Sequence, residues 1–353
     1  MNSRFSQLRD EYLEDITSLM RQVVGNASAN APTLQHMYAY HMDTGGKRFR
    51  ALLPLFVADA LNHDPAPLVP FGAACEMVHN ATLVHDDLQD RDTMRRGHPT
   101  VWRHFGERHA INLGDAMFYY ALLLAQQLPA DLNARESILT QMLEGTLCVI
   151  GGQEMEFALH HEEYPTLDAY FTMVEGKTSG LFMLPMSGAA MLCGANDAVI
   201  GSLSAAARHM GVLFQVQDDV LDVYGDKGRD RLGSDIGEGK RSLLALHALN
   251  HASTADAQHL RHILAKPRQD TTLDDVTDAI HLFDQTDALA FALETIRTRR
   301  RQAVDAIAGA ESPTLTDMIT ALCTLFEKPI QQVRAPSLTV QNTGGHLNSP
   351  PDR

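Results

Sequence analysis

Two aspartate clusters of identical spacing, each set in an otherwise apolar helical stretch, constrain this chain more than any other feature. Asp86, Asp87 and Asp90 form the first, within HNATLVHDDLQDRDTMRRGHPT at 79–100. Asp218, Asp219 and Asp222 form the second, within GVLFQVQDDVLDVYG at 211–225. Helical residues three and four apart share a face, so Asp86 and Asp90 look the same way, with Asp87 beside them. Their neighbours Leu83, Val84 and Leu88 are apolar. Carboxylates crowded in this way repel one another unless a cation sits among them. Hard oxygen ligands suit Mg²⁺, which keeps several waters and is shared with substrate phosphates. Arg95, Arg96 and Gly97 follow directly, and arginine forks match phosphate oxygens in bidentate geometry. A single cluster of this kind is often only a solvated helix end. A second copy with the same spacing favours a site for a metal and a diphosphate.

Strand signals are scarce around the clusters, and long amphipathic stretches dominate. Phe5, Leu8, Tyr12, Ile16, Leu19 and Val23 recur at helical spacing in a first helix over 4–24. Further helices are expected to about Met42, over 48–62, from Val69 through the first aspartates, and over 109–128, 135–160, 166–193 and 197–224. Five more are expected over 241–251, 255–265, 272–285, 286–309 and 313–326. The Gly-rich, charged segment 225–240 reads as a mobile loop beside the site. No internal linker divides the chain. It is expected to be a single all-α domain over 1–335, with a disordered tail at 336–353.

Composition narrows the function. A formal net charge of −15 argues against a general nucleic-acid binder. Cys75, Cys148, Cys193 and Cys323 lie far apart without a CxxC pair, as expected for buried thiols in a reducing compartment. The opening MNSRFSQLRDEYLEDI is too polar and acidic for a signal peptide, and no apolar run reaches membrane-spanning length. A cytoplasmic protein without stable membrane insertion is the expectation.

The motifs together resemble those of the trans-type (head-to-tail) isoprenyl diphosphate synthases. They are GGKRFR at 45–50, HDDLQDRDTMRRGHPT at 85–100, INLGD at 111–115, GGQ at 151–153, KTSG at 177–180, FQVQDDVLD at 214–222 and GSDIGEGKRSLL at 233–244. The resemblance implies an isoprenoid-synthase-type helical bundle around a deep central cavity, usually as a homodimer. It implies a prenyltransferase that joins isopentenyl diphosphate to an allylic diphosphate (dimethylallyl, geranyl or farnesyl). A trio of Mg²⁺ ions would be held with the bound diphosphate. Asp86, Asp90 and Asp218 would be direct ligands, with Asp87, Asp219 and Asp222 acting through water or orienting them. Arg95, Lys177 and Lys240 would hold the allylic diphosphate, and Lys47, Arg50, His79 and Arg96 the isopentenyl diphosphate. Thr178, Gln215 and the Lys177 carbonyl would turn oxygen dipoles toward an allylic cation, with Phe214 against the isopentenyl group. Two departures stand out. Asp230, flanked by Arg229 and Arg231 and near Lys227, occupies the place of a loop lysine, and Glu156 replaces an aspartate.

In this family an aromatic four or five residues before the first aspartate closes the product tunnel at farnesyl. Thr82 and Ala81 are small here. Val78 and Met77 lie one turn deeper, and a turn rises about 5.4 Å, near the length of an isoprene unit. A floor at Met77 would give geranylgeranyl diphosphate, with Phe118, Tyr119 or Tyr120 as other candidate floors. Farnesyl and longer polyprenyl products are the alternatives. A class I terpene cyclase or a head-to-head synthase would not need Lys47, Arg50 and Arg96, and a non-catalytic subunit would not need all six aspartates.

Overall fold

The computed structural model describes residues 2–225, 232–331 and 333. The sequence expectations for Lys227, Arg229, Asp230, Arg231 and the 336–353 tail lie outside the described residues. The long helices are α1 (Asn2–Ala27), α2 (Pro32–Asp43), α3 (Phe49–Ala60), α4 (Val69–Gln89) and, after a short α5 (Val101–Phe105), α6 (Glu107–Ala125) and α7 (Leu132–His161). Then come α8 (Leu167–Val174), α9 (Gly180–Leu192) and α10 (Asp197–Tyr224). A one-turn α11 (Ser234–Gly237) precedes α12 (Leu243–His251), α13 (Thr254–Leu264), α14 (Leu273–Gln285), α15 (Ala288–Ala308) and α16 (Pro313–Glu327).

The boundaries follow local chemistry. Asp131 accepts a hydrogen bond from the Ala134 amide at the start of α7, and Asn196 does the same for Val199 at the start of α10. Thr272 and Asp275 form a reciprocal capping box on α14. The core runs through the centre of the bundle: α10 packs against α9 and α15, and α4 packs against α3 and α6. A buried polar chain ties the N-terminal helices together. His41 Nε2 donates to Asn80 Oδ1 at 3.0 Å, and Asn80 Nδ2 donates to Glu76 Oε1 at 3.0 Å. Glu76 in turn accepts from the Ala51 amide and faces Arg48. Burial pushes the His41 imidazole down to about 3, so it is neutral and can serve as a single donor.

Of the four cysteines expected to be buried, Cys148 is exposed and Cys193 half-buried, and the backbone departs from the sequence expectations in three places. The stretch 166–193 is two helices joined by a π-helical turn at Glu175–Ser179. Inserted π turns are common at functional sites, and this one carries Lys177 and Thr178. Met94–Arg95 pairs antiparallel with His98–Pro99. Arg96 (φ 52°) and Gly97 (φ 79°) make the tight turn between them, as two-residue hairpins with left-handed central residues require. The part of 225–240 that is described folds onto α10. The Gly233 amide bonds to the Asp222 carbonyl, and the Asp235 amide bonds to Asp222 Oδ2 at 3.0 Å.

Candidate active site

Both aspartate clusters lie at the C-terminal ends of their helices, α4 and α10. The helix dipole is negative there, so it adds to the repulsion among the carboxylates. Such an arrangement needs cations, and the fold supplies them from the adjoining hairpin and from remote segments. Arg95 binds Asp87 through Nε and Nη2 at 2.6–2.9 Å. Lys240 reaches Asp90 at 2.9 Å and Glu238 at 2.6 Å. Lys177 pairs with Glu156. Burial pushes the Asp86 carboxyl up, and nearby Lys177 partly offsets that. Burial also raises Asp90, but Lys240 and Lys177 outweigh it and leave that carboxyl below its ordinary value.

A cavity of about 560 Å³ opens between α4, α6, α7, the π turn and α10. Asp86 and Asp90 line one wall, and Asp218 and Asp219 another. Asp87 and Asp222 are buried outside the lining. Asp219 is fixed by three donors: Tyr170 Oη at 2.8 Å, Gln215 Nε2 at 3.0 Å and the Leu243 amide at 3.0 Å. Burial and Asp235 nonetheless raise its carboxyl to about 6.

The donor set fits Mg²⁺. Nine carboxylates line the cavity against six arginine and lysine side chains, so the lining has room for added positive charge. Among the described residues no three carboxylate, imidazole or thiolate groups converge into a closed cage. A metal held here would therefore need its own waters and substrate phosphates to complete its shell, as Mg²⁺ does. Asp86, Asp90 and Asp218 are the residues that would hold it.

The other expected residues divide between two places. Arg95, Arg96, Lys177 and Lys240 line the cavity, as do Arg50, His79 and Phe214. The Arg50 guanidinium stacks over Phe182 and Phe214 at 4.7 and 5.0 Å, a contact that stabilises a desolvated cation. Its Nε has no partner among the described residues, and burial lowers its pKa to about 10. Burial also keeps His79 neutral. Arg96 bonds back to the Gly45 carbonyl and packs against Gly46. Thr178 Oγ1 donates to Gln215 Oε1 at 2.9 Å, so these two oxygens meet in the cavity wall. Lys47 is set apart. It is exposed and lines a separate cavity among α1, α3 and α16, because the chain turns at Arg48 (φ 49°).

The tunnel residues also divide. Thr82 lines the cavity, whereas Ala81, Val78 and Met77 are buried in the core outside its lining. Met77, at 0% exposure, does not reach the cavity surface in this structure. Phe118 of α6 lines its apolar part with Leu83, Val149, Ile150 and Leu181. Tyr119 faces outward and Tyr120 bonds to Ser28.

Sequence reasoning missed several supporting residues. Tyr170 lies far from Asp219 in the chain and carries no motif. Arg268 spans Asp92 at 2.9 Å, the Asp90 carbonyl at 2.5 Å and Glu238 at 3.0 Å, joining the first aspartate loop to α11. Nothing local to 268 signals that contact.

Residues 31–283 match the family described as Polyprenyl synthetase. The chain is 34% identical to the geranylgeranyl diphosphate synthase of Mycobacterium tuberculosis, over 79% of this chain and 80% of that protein. It is 30% identical to the (2E,6E)-farnesyl diphosphate synthase of Mycobacterium bovis, over 85% of this chain and 86% of that protein. Among solved structures, the geranylgeranyl pyrophosphate synthetase of Pyrococcus horikoshii superposes with a TM-score of 0.77 at 27% identity. That superposition covers 90% of this chain and 98% of the other.

Proposed function

This chain belongs to the polyprenyl synthetase family, and on that premise we propose that it joins isopentenyl diphosphate head-to-tail to an allylic diphosphate, with geranylgeranyl diphosphate as product. The observation that carries the reading is the convergence of Asp86 and Asp90 from α4 with Asp218 from α10 on one cavity. Arg50, His79, Arg96 and Phe214 share that cavity. Carboxylates for a metal-bound diphosphate and cations for a second diphosphate are what a two-substrate condensation requires.

Diphosphate is a poor leaving group until its charge is neutralised, and Mg²⁺, a trio of ions on this reading, supplies that Lewis-acid chemistry when bound. Lys177, Lys240 and Arg95 bind the allylic diphosphate by exchanging carboxylate partners for phosphate oxygens. The allylic C1–O bond breaks and its electron pair leaves with the diphosphate. The Thr178 and Gln215 oxygens face the developing allylic cation as oriented dipoles. The isopentenyl double bond, held over Phe214, attacks C1. A proton then passes from the adjacent carbon to the departed diphosphate, leaving a new allylic double bond.

The test is product analysis with isopentenyl diphosphate and each of dimethylallyl, geranyl and farnesyl diphosphate, with Mg²⁺ and with excess chelator. A geranylgeranyl product that vanishes with chelator is expected. No condensation with any starter, in folded protein, would overturn the reaction class.

A homodimer belongs to the same reading. Leu143, Leu147 and Ile150 on α7 are 52%, 66% and 46% exposed, and Tyr119 and Leu123 of α6 are exposed as well. A grouped apolar face of this kind marks an interface more often than free surface. Leu147→Glu is expected to shift the sedimentation mass to that of a single chain, and an unchanged mass would exclude this face.

A further inference from the structure

One residue of the cavity has no role in the chemistry above, and its surroundings are unusual. Gln153 of α7 is only 7% exposed and lines the cavity, yet neither Nε2 nor Oε1 has a hydrogen-bond partner among the described residues. A buried amide with both ends unpaired is costly, and native proteins seldom leave one without a purpose. Gln215 across the cavity is the contrast. Its Oε1 accepts from Thr178 and its Nε2 donates to Asp219, so both ends are already committed.

The position of Gln153 is not loose. The preceding residue, Gly152, presses against the π turn so closely that a Cβ there would lie 2.1 Å from the Lys177 amide nitrogen. This approach fixes α7 against the turn that carries Lys177 and Thr178. Along α7 the lining runs from Val149 and Ile150 through Gln153 to Glu156, which pairs with Lys177. With a rise of about 1.5 Å per residue, Gln153 stands where the lining changes from apolar to charged. A prenyl tail can satisfy neither end of an amide. A hydrated metal diphosphate can satisfy both, because phosphate oxygens accept and metal-bound water donates.

We propose that Gln153 is a binding residue for the head of the allylic substrate, its Nε2–H donating to a diphosphate oxygen and its Oε1 accepting from a metal-bound water. This rests on the reading of the cavity as the allylic diphosphate site.

The experiment compares wild type, Gln153→Leu and Gln153→Glu by calorimetry with inorganic diphosphate and Mg²⁺ as the probe. Gln153→Leu should weaken that binding about tenfold, as loss of hydrogen bonds to a charged ligand implies. Gln153→Glu should weaken it further, since the donor is lost and a negative charge is added. Metal-free binding of isopentenyl diphosphate should be unchanged in Gln153→Leu. The thermal midpoint of ligand-free Gln153→Leu should equal or exceed that of wild type, because the unpaired amide is gone. Unchanged affinity for Mg²⁺ and diphosphate would overturn the proposal. So would a lowered midpoint with parallel loss of isopentenyl diphosphate binding, which would mark a packing role. Absence of product from the wild type would instead overturn the reaction assignment, since the binding comparison does not depend on turnover.

Discussion

Asp86→Asn is expected to cut condensation by about 10⁴-fold while leaving the thermal midpoint of the ligand-free protein unchanged or raised. Asparagine keeps the shape and removes the charge. Loss of one direct ligand takes away several kcal/mol of leaving-group stabilisation, and each ~1.4 kcal/mol is tenfold in rate. Stability should not suffer, because burial already disfavours the Asp86 charge and its neighbour Lys177 keeps Glu156. Asp87→Asn should behave in the opposite way. That carboxylate holds Arg95 in a bidentate pair and does not line the cavity. Its removal breaks the bidentate pair and should cost about 1.5 kcal/mol of stability, the low end for hydrogen bonds to a charged group because burial already raises the Asp87 carboxyl to about 6, with a smaller fall in rate. The pair is read by kcat, Mg²⁺ dependence and thermal melting on each variant. If Asp86→Asn retains more than a tenth of the rate, the metal site does not lie on α4.

Phe118→Ala should lengthen the product, and Met77→Ala should not. Phe118 is the bulky aromatic in the apolar part of the cavity, and truncating it removes a wall that a growing chain would meet. Met77 is fully buried in the core, away from the lining. Cutting it to alanine should cost about 2–5 kcal/mol through lost packing and a residual cavity. Chromatography of products after exhaustive turnover, together with melting curves, separates the two effects. A longer product from Met77→Ala alone would return the floor to α4. An unchanged product from Phe118→Ala would show that the chain ends elsewhere.

Much of the site was legible because its chemistry is written locally. Asp86 and Asp90 share a helix face by period alone, and Arg95 and Arg96 follow them directly in the chain, although the hairpin that carries Arg95 does not show in the sequence. Lys47 and Arg50, by contrast, look equivalent in the sequence. The left-handed turn at Arg48 then sends Arg50 into the cavity and leaves Lys47 facing solvent on another cavity. The helix expected over 166–193 failed for a similar reason. Gly176 and Gly180 weaken that helix without saying how it deforms, and the π turn becomes visible only with α7 packed against it through Gly152.

The sequence by itself determined the all-helical architecture, the two acidic helix ends and the demand for cations between them. Those follow from side-chain period and from the repulsion of neighbouring carboxylates, which act over a few residues. Only the tertiary structure decided which carboxylates face the cavity, which cations hold the others, and that Phe118 rather than Met77 borders the apolar space. Tyr170 against Asp219, Arg268 against Asp92 and Lys240 against Asp90 join residues far apart in the chain. Such pairings are set by how the helices pack, and no local pattern records them.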